Sequence, residues 1–338
     1  MPSRSLGPDS PRTFFLALCV SVGVMFAIGV TPMLILHMPT ELSRTTETIR
    51  ALRGAPGQLA LVVTGDSVMM NGVNAKLLGE ELRPPCEAWN LGSVGQGIAE
   101  TLFIADMLPR SVRTLVVGLL PEGLSEPTVT IPEDRYLFYR LSGYQPSAEA
   151  LDVARRLPTQ TLYDMMSERQ WLATLSGRGM IRISADLTIR SRLRRDLDIE
   201  RARTDLYFPA PYRKRISEAA LAHAVSLVYK PQDSFKPSPQ RLQFLLLVRE
   251  MLVRRGQRLI IVVMPQHPRA IAMTSAAYYA QLSQYEKRLR DQYQFDLIDF
   301  HGQLGELDFV DQIHPGGTGS ERLTRMLGAS LTAQRASS

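Results

Sequence analysis

Five short apolar runs, mostly separated by segments of helical spacing, constrain the fold more than any other feature of the sequence. Continuous runs of this length and composition are typical of strands buried on both faces of a parallel sheet, with helices covering the two faces. The sequence therefore predicts an α/β fold, a three-layer α/β/α sandwich around a five-stranded parallel sheet of flavodoxin-like type. The runs lie in QLALVVTG, CEAWNLGS, RTLVVGLL, RLIIVVMP and FDLIDF.

The alternation stops between the third and the fourth run. Residues 121–239 show no clean succession of strands and helices, so we expect a mainly helical insertion within a domain that spans residues 58–333. The insertion holds the main basic cluster, whose arginines are interleaved with acidic residues, as on a solvated helical face. A surface for anionic lipid headgroups or an anionic polymer is the alternative. The cluster comprises Arg178, Arg182, Arg190, Arg192, Arg194, Arg195, Arg201 and Arg203, followed by YRKR at 212–215.

A long segment near the N-terminus, residues 13–36, contains no charged residue. An uncharged helix of this length is sufficient to cross a hydrocarbon core about 30 Å thick. We therefore expect a single-pass anchor in the inner (cytoplasmic) membrane, with residues 1–12 in the cytoplasm and residues 37–57 as a juxtamembrane helix or stalk. The domain would then face the periplasm or the cell exterior. A cleaved signal peptide is the alternative, but its apolar region is normally about 7–15 residues long.

Composition excludes several classes of function. The two cysteines cannot form a disulfide framework, and none of the five histidines stands at H-x-x-x-H spacing. A phosphate-binding G-x-x-x-x-G-K loop is also missing from the sequence, so no metal and no cofactor are predicted. The net charge of +6 is concentrated in the insertion and aromatic residues are few, so nucleic acid is not an expected partner.

Candidate catalytic residues follow the first strand and precede the last helix. Ligands of an open α/β sheet bind beyond the carboxyl ends of its strands. Ser67 follows the first strand, and Asp311 and His314 lie three residues apart near the C-terminus. A serine hydroxyl becomes a nucleophile when a base, usually histidine, takes its proton, and an aspartate can orient that histidine. The alternatives are a helix-capping role for Ser67 and a surface position for His314, whereas Asp66 is expected to bind backbone amides in the turn.

Further polar residues lie in the loops after the second and fourth strands. Asn90 and Gln96 belong to a glycine-rich turn, through which backbone N–H groups can approach an oxyanion. These two residues and His267 are candidates for substrate contact, although an ordinary loop histidine is the favoured interpretation of His267. The Tyr278 and Tyr279 pair is interpreted as packing.

Three motifs in chain order carry a resemblance to a known family. They resemble blocks I, II and V of the SGNH (GDSL-type) hydrolase superfamily, over residues 58–123 and 258–330. The resemblance implies a Ser67–His314–Asp311 triad, with the N–H groups of Ser67 and Gly95 as oxyanion donors. The family's third donor, an asparagine after the third strand, has no counterpart in VVGLLPEG. The motifs are Gly65-Asp66-Ser67, Asn90-x-x-x-x-Gly95 and Asp311-x-x-His314-Pro315.

The uncharged N-terminal segment, the missing asparagine and the long insertion together resemble a membrane-anchored branch of this superfamily. That branch includes the DltD-type proteins of teichoic-acid D-alanylation and the alginate-acetylation proteins. The resemblance implies an esterase or O-acyltransferase that acts on a cell-envelope polysaccharide or lipid, with a membrane-bound O-acyltransferase as partner. The alternatives are a catalytically inactive protein that binds glycan or assists envelope assembly, and a membrane-surface adaptor that acts through the basic cluster.

Overall fold

The computed structural model describes residues 43–167, 205–208 and 214–336, together with residue 15 and residues 18–23 near the N-terminus. Within this part of the chain, five strands form one parallel sheet in the order β2-β1-β3-β4-β5. This confirms the predicted α/β fold and its sheet. The strands are β1 Leu59–Gly65, β2 Glu87–Asn90, β3 Thr114–Leu119, β4 Arg258–Val263 and β5 Asp296–Asp299.

Helices connect and cover these strands. They are α1 Ser43–Arg53, α2 Ser67–Gly72, α3 Ala75–Glu81, α4 Ile98–Met107, α5 Glu133–Leu141, α6 Ala148–Arg155, α7 Thr161–Met166, α8 Glu218–Val228, α9 Pro239–Arg254, α10 Pro268–Met273, α11 Ala276–Asp291 and α12 Thr318–Ala336. Two short 3-10 helices, Pro121–Leu124 and Glu306–Asp308, follow β3 and β5.

Side chains of each strand alternate between two hydrophobic cores, one on each face of the sheet. Val62 of β1 packs with residues of α4, α9 and α11, whereas the adjacent Val63 packs with residues of α2, α3 and α12. This alternation follows from the period of two in a strand and produces the three layers. The chain moves from β1 to β2 on one side and then returns past β1 to β3 on the other side, so the carboxyl end of β1 lies where ligand crevices form in such sheets.

The helix α1 lies within the segment expected to be a juxtamembrane stalk, but it is an integral part of the domain. Ile49 is fully buried and Leu52 is 4% exposed, both in the core that also contains α4 and α9. Arg44 of the same helix is 1% exposed. The folded domain therefore begins before the expected boundary at residue 58. The possible cap at Thr40 lies outside the described residues.

The described part of the insertion is helical, as expected, through α5 to α8. A short piece, residues 205–208, lies beside the carboxyl end of β2, where the Asn90 N–H donates to the Leu206 carbonyl at 2.7 Å. The arginines of the basic cluster lie outside the described residues. From its final YRKR, Arg215 is described, and its Nη2 lies 3.7 Å from Glu306 Oε1.

Most of the expected anchor, residues 13–36, lies outside the described residues. Residues 18–23 are helical, and the side chains of Leu18, Val20 and Val22 are about half exposed to solvent. In the part of the chain that the structure describes, no helix combines the length and the apolar character needed to span a membrane.

Removing α1 is expected to destabilise the whole domain. Burial of a large aliphatic side chain contributes about 1.5–3 kcal/mol, so loss of Ile49 and Leu52 alone should lower the free energy of unfolding by roughly 3–6 kcal/mol. Urea denaturation followed by circular dichroism would compare a chain that begins at residue 43 with one that begins at residue 58. Equal midpoints for the two chains would show that α1 is a dispensable stalk.

Candidate active site

The turn after β1 has no room for a side chain at Gly65. Gly65 has a φ of 154°, and a Cβ at this position would lie 2.6 Å from the Gly118 carbonyl oxygen of β3. A Cβ at Gly118 would in turn lie 2.4 Å from the Met69 Cε of α2. Glycine is required at position 65 because the Gly118 carbonyl leaves no space for a Cβ, whereas the atoms nearest to a Cβ at position 118 belong to the flexible side chains of Met69 and Met264. Ser67 is thereby placed directly beyond the carboxyl end of β1.

Asp66, and not Ser67, caps α2. Its Oδ1 accepts a hydrogen bond of 2.8 Å from the Val68 N–H, and it is the residue with extended backbone before the helix. This confirms the expectation that Asp66 binds backbone amides, and it shows that the capping role considered for Ser67 is wrong. Burial raises the pKa of Asp66, opposed by that N–H and by the nearby His314.

The three residues expected to form a triad are brought together across 247 positions of sequence. His314 Nε2 lies 2.8 Å from Ser67 Oγ, and His314 Nδ1 lies 2.8 Å from Asp311 Oδ2. His314 is 7% exposed, so it is not the surface histidine of the alternative interpretation. The geometry lets the imidazole take the serine proton while the carboxylate holds the other ring nitrogen.

The turn that carries Asp311 and His314 fixes the carboxylate before any reaction. Asp311 Oδ1 accepts from the N–H groups of Ile313 at 2.9 Å and His314 at 2.8 Å. Burial tends to raise the pKa of Asp311, but the hydrogen bond and charge of His314, with these two N–H groups, hold it below its usual value. Asp311 therefore stays ionised and can stabilise a protonated His314.

Asn90 links the loop after β2 to α2 and does not make the expected substrate contact. It is fully buried, and its Nδ2 donates to the carbonyls of Met69 at 3.0 Å and Val73 at 2.7 Å. Its Oδ1 accepts from the Gly92 N–H at 2.9 Å. Because both ends of the amide are bonded to backbone, Asn90 acts as a structural tie between two loops of the site.

Gln96 and His267 are also occupied within the fold. Gln96 is 8% exposed, and its Nε2 donates to Thr64 Oγ1 at 2.7 Å. His267 is fully buried, caps α10 by accepting from the Arg269 N–H at 3.1 Å, and packs on Phe309 with ring centroids 5.0 Å apart. Burial lowers the pKa of His267. Gln96 is therefore not placed for the expected contact with substrate. His267 Nε2 is buried without a hydrogen-bond partner among the described residues, so the expectation for His267 stays a prediction.

Gly95 lies in the loop that runs beside the nucleophile turn. The Ser93 N–H donates to the Gly65 carbonyl at 3.0 Å, which joins the two turns. Gly95 is exposed and has a φ of 60°, a conformation that favours glycine. Gly95 thus belongs to a loop that is bonded to the turn carrying Ser67, and the role of its N–H as an oxyanion donor remains a prediction.

Two arginines that the motifs do not include hold this loop by its oxygens. Arg44 of α1 donates to the carbonyls of Asn90 and Gly92 and, at 2.7 Å, to that of Asp205 in the insertion. Arg135 of α5 donates to the Val94 carbonyl at 2.6 Å. These partners are mostly backbone atoms distant in sequence, so no local sequence signal identifies either arginine.

Arg135 also makes a buried ion pair. Its Nε lies 3.2 Å from Glu100 Oε1, and its Nη2 donates to Ser93 Oγ at 3.2 Å. Glu100 is fully buried, and its Oε2 accepts from the Gly97 N–H at 2.7 Å. Burial raises the pKa of Glu100, while Arg135 opposes that rise. The pair thus fixes both ends of the loop that contains Gly95.

No known family model matches the sequence, and no curated protein is found to be similar to it. Among the described residues, no group of three or more histidine, cysteine or acidic side chains is arranged to hold a metal ion. The case for chemistry at this site therefore depends on the geometry of Ser67, His314 and Asp311.

Replacing Arg135 by methionine should destabilise the domain in a pH-dependent manner. Removing one partner of a buried ion pair costs roughly 3–5 kcal/mol, because the other charge is left without compensation. The raised pKa of Glu100 would rise further, so the penalty is small where Glu100 is protonated in both states and grows as the pH rises above its unfolded pKa. Urea denaturation at pH 5 and pH 8 measures this difference.

The double variant Arg135→Met/Glu100→Gln is the matched control. It removes the buried charge as well as its partner, so we expect the pH dependence of the loss to disappear. A loss of equal size at both pH values in the single variant would contradict the ion-pair account.

Proposed function

We propose that this chain is an SGNH-type serine acyl esterase or O-acyltransferase that works through an acyl-serine intermediate. The observation that carries the proposal is the continuous hydrogen-bonded arrangement of Ser67, His314 and Asp311 beyond the carboxyl end of β1. The resemblance of the three sequence motifs to that superfamily supports it.

The chemistry follows from these contacts. Ser67 Oγ attacks the carbonyl carbon of an ester while His314 Nε2 takes its proton, and Asp311 stabilises the resulting imidazolium. Collapse of the tetrahedral intermediate breaks the ester bond, and His314 gives its proton to the departing alcohol. Water or an acceptor hydroxyl then attacks the acyl-serine with His314 again as base, which releases the acyl group and regenerates Ser67. The N–H groups of Ser67 and Gly95 would donate to the oxyanion in both halves of the reaction.

The proposed setting is the cell envelope. An uncharged N-terminal segment of 24 residues, 13–36, would anchor the chain in the inner membrane with the domain in the periplasm or outside the cell. A tethered enzyme of this type would act on an envelope polysaccharide or lipid, with a membrane-bound O-acyltransferase as the partner that supplies the acyl group. Transfer would prevail over hydrolysis where water is excluded from the acyl-enzyme.

A fluorophosphonate probe should label the protein at Ser67. Such probes react with a serine whose hydroxyl is activated by a neighbouring base. We expect labelling of the wild-type chain in detergent and none of Ser67→Ala, with Ser226→Ala on the exposed face of α8 labelled like the wild type. Labelling of the wild type no stronger than that of Ser67→Ala would favour an inactive protein that binds glycan.

Replacing Asp311 by asparagine should slow that labelling by about 10³-fold or more, as loss of the orienting carboxylate does in serine hydrolases.

Because the pKa of Asp311 is lowered in the folded state, its ionised form stabilises the fold above its unfolded pKa, and this contribution is lost as the pH falls. Asp311→Asn should therefore lower the thermal midpoint more at pH 7 than at pH 3. Probe kinetics and thermal denaturation test the two expectations, and unchanged labelling would remove Asp311 from the triad.

A further inference from the structure

Three buried polar atoms beside the triad have no hydrogen-bond partner among the described residues. They are Oε2 of Glu122 and the hydroxyl oxygens of Tyr229 and Tyr278. Buried polar groups in folded proteins are nearly always bonded, so an unpaired group requires an explanation. Three such groups in one region indicate a place where a ligand supplies the missing partners.

Glu122 is held so that one carboxyl oxygen stays unpaired. It lies in the 3-10 helix directly after β3, and its Oε1 accepts from Gln266 Nε2 at 2.8 Å. Gln266, which follows β4, accepts in turn from the Tyr279 hydroxyl at 2.9 Å. The adjacent Tyr278 is 1% exposed, and Glu122 is the charged group that acts most on its hydroxyl. The chain of bonds fixes Glu122 and directs Oε2 away from Gln266.

Tyr229 connects this group with the triad. It is the residue that ends α8, and the segment after it is fastened to α11 by the Ser275 N–H, which donates to the Gln232 carbonyl at 3.0 Å. Burial raises the pKa of Tyr229, and the charges of Glu122, Asp311 and Asp66 raise it further, in that order. The Tyr229 hydroxyl therefore lies within electrostatic reach of both Glu122 and the catalytic carboxylate.

The chemistry of the three groups selects one class of ligand. The charged residues that act on Glu122 are Asp66 and Glu126, which are both acidic and disfavour an anion. Tyrosine hydroxyls donate and accept, and a carboxyl oxygen accepts, which complements the hydroxyl groups of a sugar or another polyol. A neutral alcohol with several hydroxyl groups can satisfy all three atoms at once.

We propose that Glu122, Tyr229 and Tyr278 form a subsite for the hydroxyl groups of a polyhydroxylated alcohol, either the alcohol portion of the ester or the acyl acceptor. This deepens the proposed function and depends on it, since Glu122 follows β3 at the edge of the sheet where β1 leads into Ser67. Glu122 and Tyr229 are partly exposed residues, whereas Tyr278 is buried.

The variant Tyr278→Phe tests the subsite without a risk to folding. An unpaired buried hydroxyl contributes nothing to stability, so its removal should leave the thermal midpoint unchanged or raise it. Tyr285→Phe is the matched control, because Tyr285 is a buried tyrosine of the same helix whose hydroxyl is affected by Tyr293 and not by Glu122.

Two measurements use these variants. The first compares hydrolysis of methyl 6-O-acetyl-α-D-glucopyranoside with that of 4-nitrophenyl acetate, which has no hydroxyl group. Loss of one neutral hydrogen bond should lower the ratio of the two kcat/KM values by about three- to tenfold in Tyr278→Phe and Tyr229→Phe, and not in Tyr285→Phe. The second uses saturation-transfer NMR to measure binding of methyl α-D-glucopyranoside to Ser67→Ala protein with and without Tyr278→Phe.

The outcomes separate this inference from the proposed function. If Tyr278→Phe weakens binding of the glycoside, the subsite is supported, whether or not the wild-type chain hydrolyses either ester. Hydrolysis of neither ester by the wild-type chain would contradict the proposed enzymatic function. An active wild type whose ester preference is equal in Tyr278→Phe and Tyr285→Phe would overturn the subsite alone. A glycoside that does not bind to Ser67→Ala would also overturn it.

Discussion

The close contact of β1 and β3 at Gly65 and Gly118 is the constraint on which the site depends. No Cβ fits at Gly65 beside the Gly118 carbonyl, so α2 can begin directly on the strands with Asp66 as its cap. Ser67 is then fixed by backbone packing, not by its own side chain. His314 reaches it from a turn whose carboxylate is already bound by two backbone N–H groups. Both halves of the candidate site are therefore held by the backbone in the absence of substrate.

The loop with Gly95 is held in a different way, by cationic side chains from helices that lie before β1 and within the insertion. Arg44 comes from a helix before β1, and Arg135 comes from the insertion between β3 and β4. Guanidinium groups suit this task because they present several donors in one plane and stay charged when buried. Burial lowers the pKa of Arg44 to about 9, against the charge of Asp205, so it remains a cation near neutral pH. Segments peripheral to the sheet thus shape the loop beside the nucleophile.

The sheet and the triad could be predicted from the sequence because their signals are local. Apolar runs of strand length mark the strands, and the spacing between Asp311 and His314 is characteristic of one turn. Asn90 was expected to contact substrate, because its position in a motif shows which loop it occupies but not which way its side chain points. Arg44 and Glu122 carry no local signal, since their partners lie 48 and 144 positions away. Such roles follow from tertiary contacts alone.

The position of Arg44 has a consequence for the distance between the domain and a membrane. If residues 13–36 span the membrane, residues 37–42 are the whole connection between the bilayer and α1, which is bonded to the loop beside Ser67. Six residues extend to about 22 Å at most. The short connection would then keep the domain close to the lipid surface. Polymers or lipids at the membrane would be within its range, and distant layers of the wall would not.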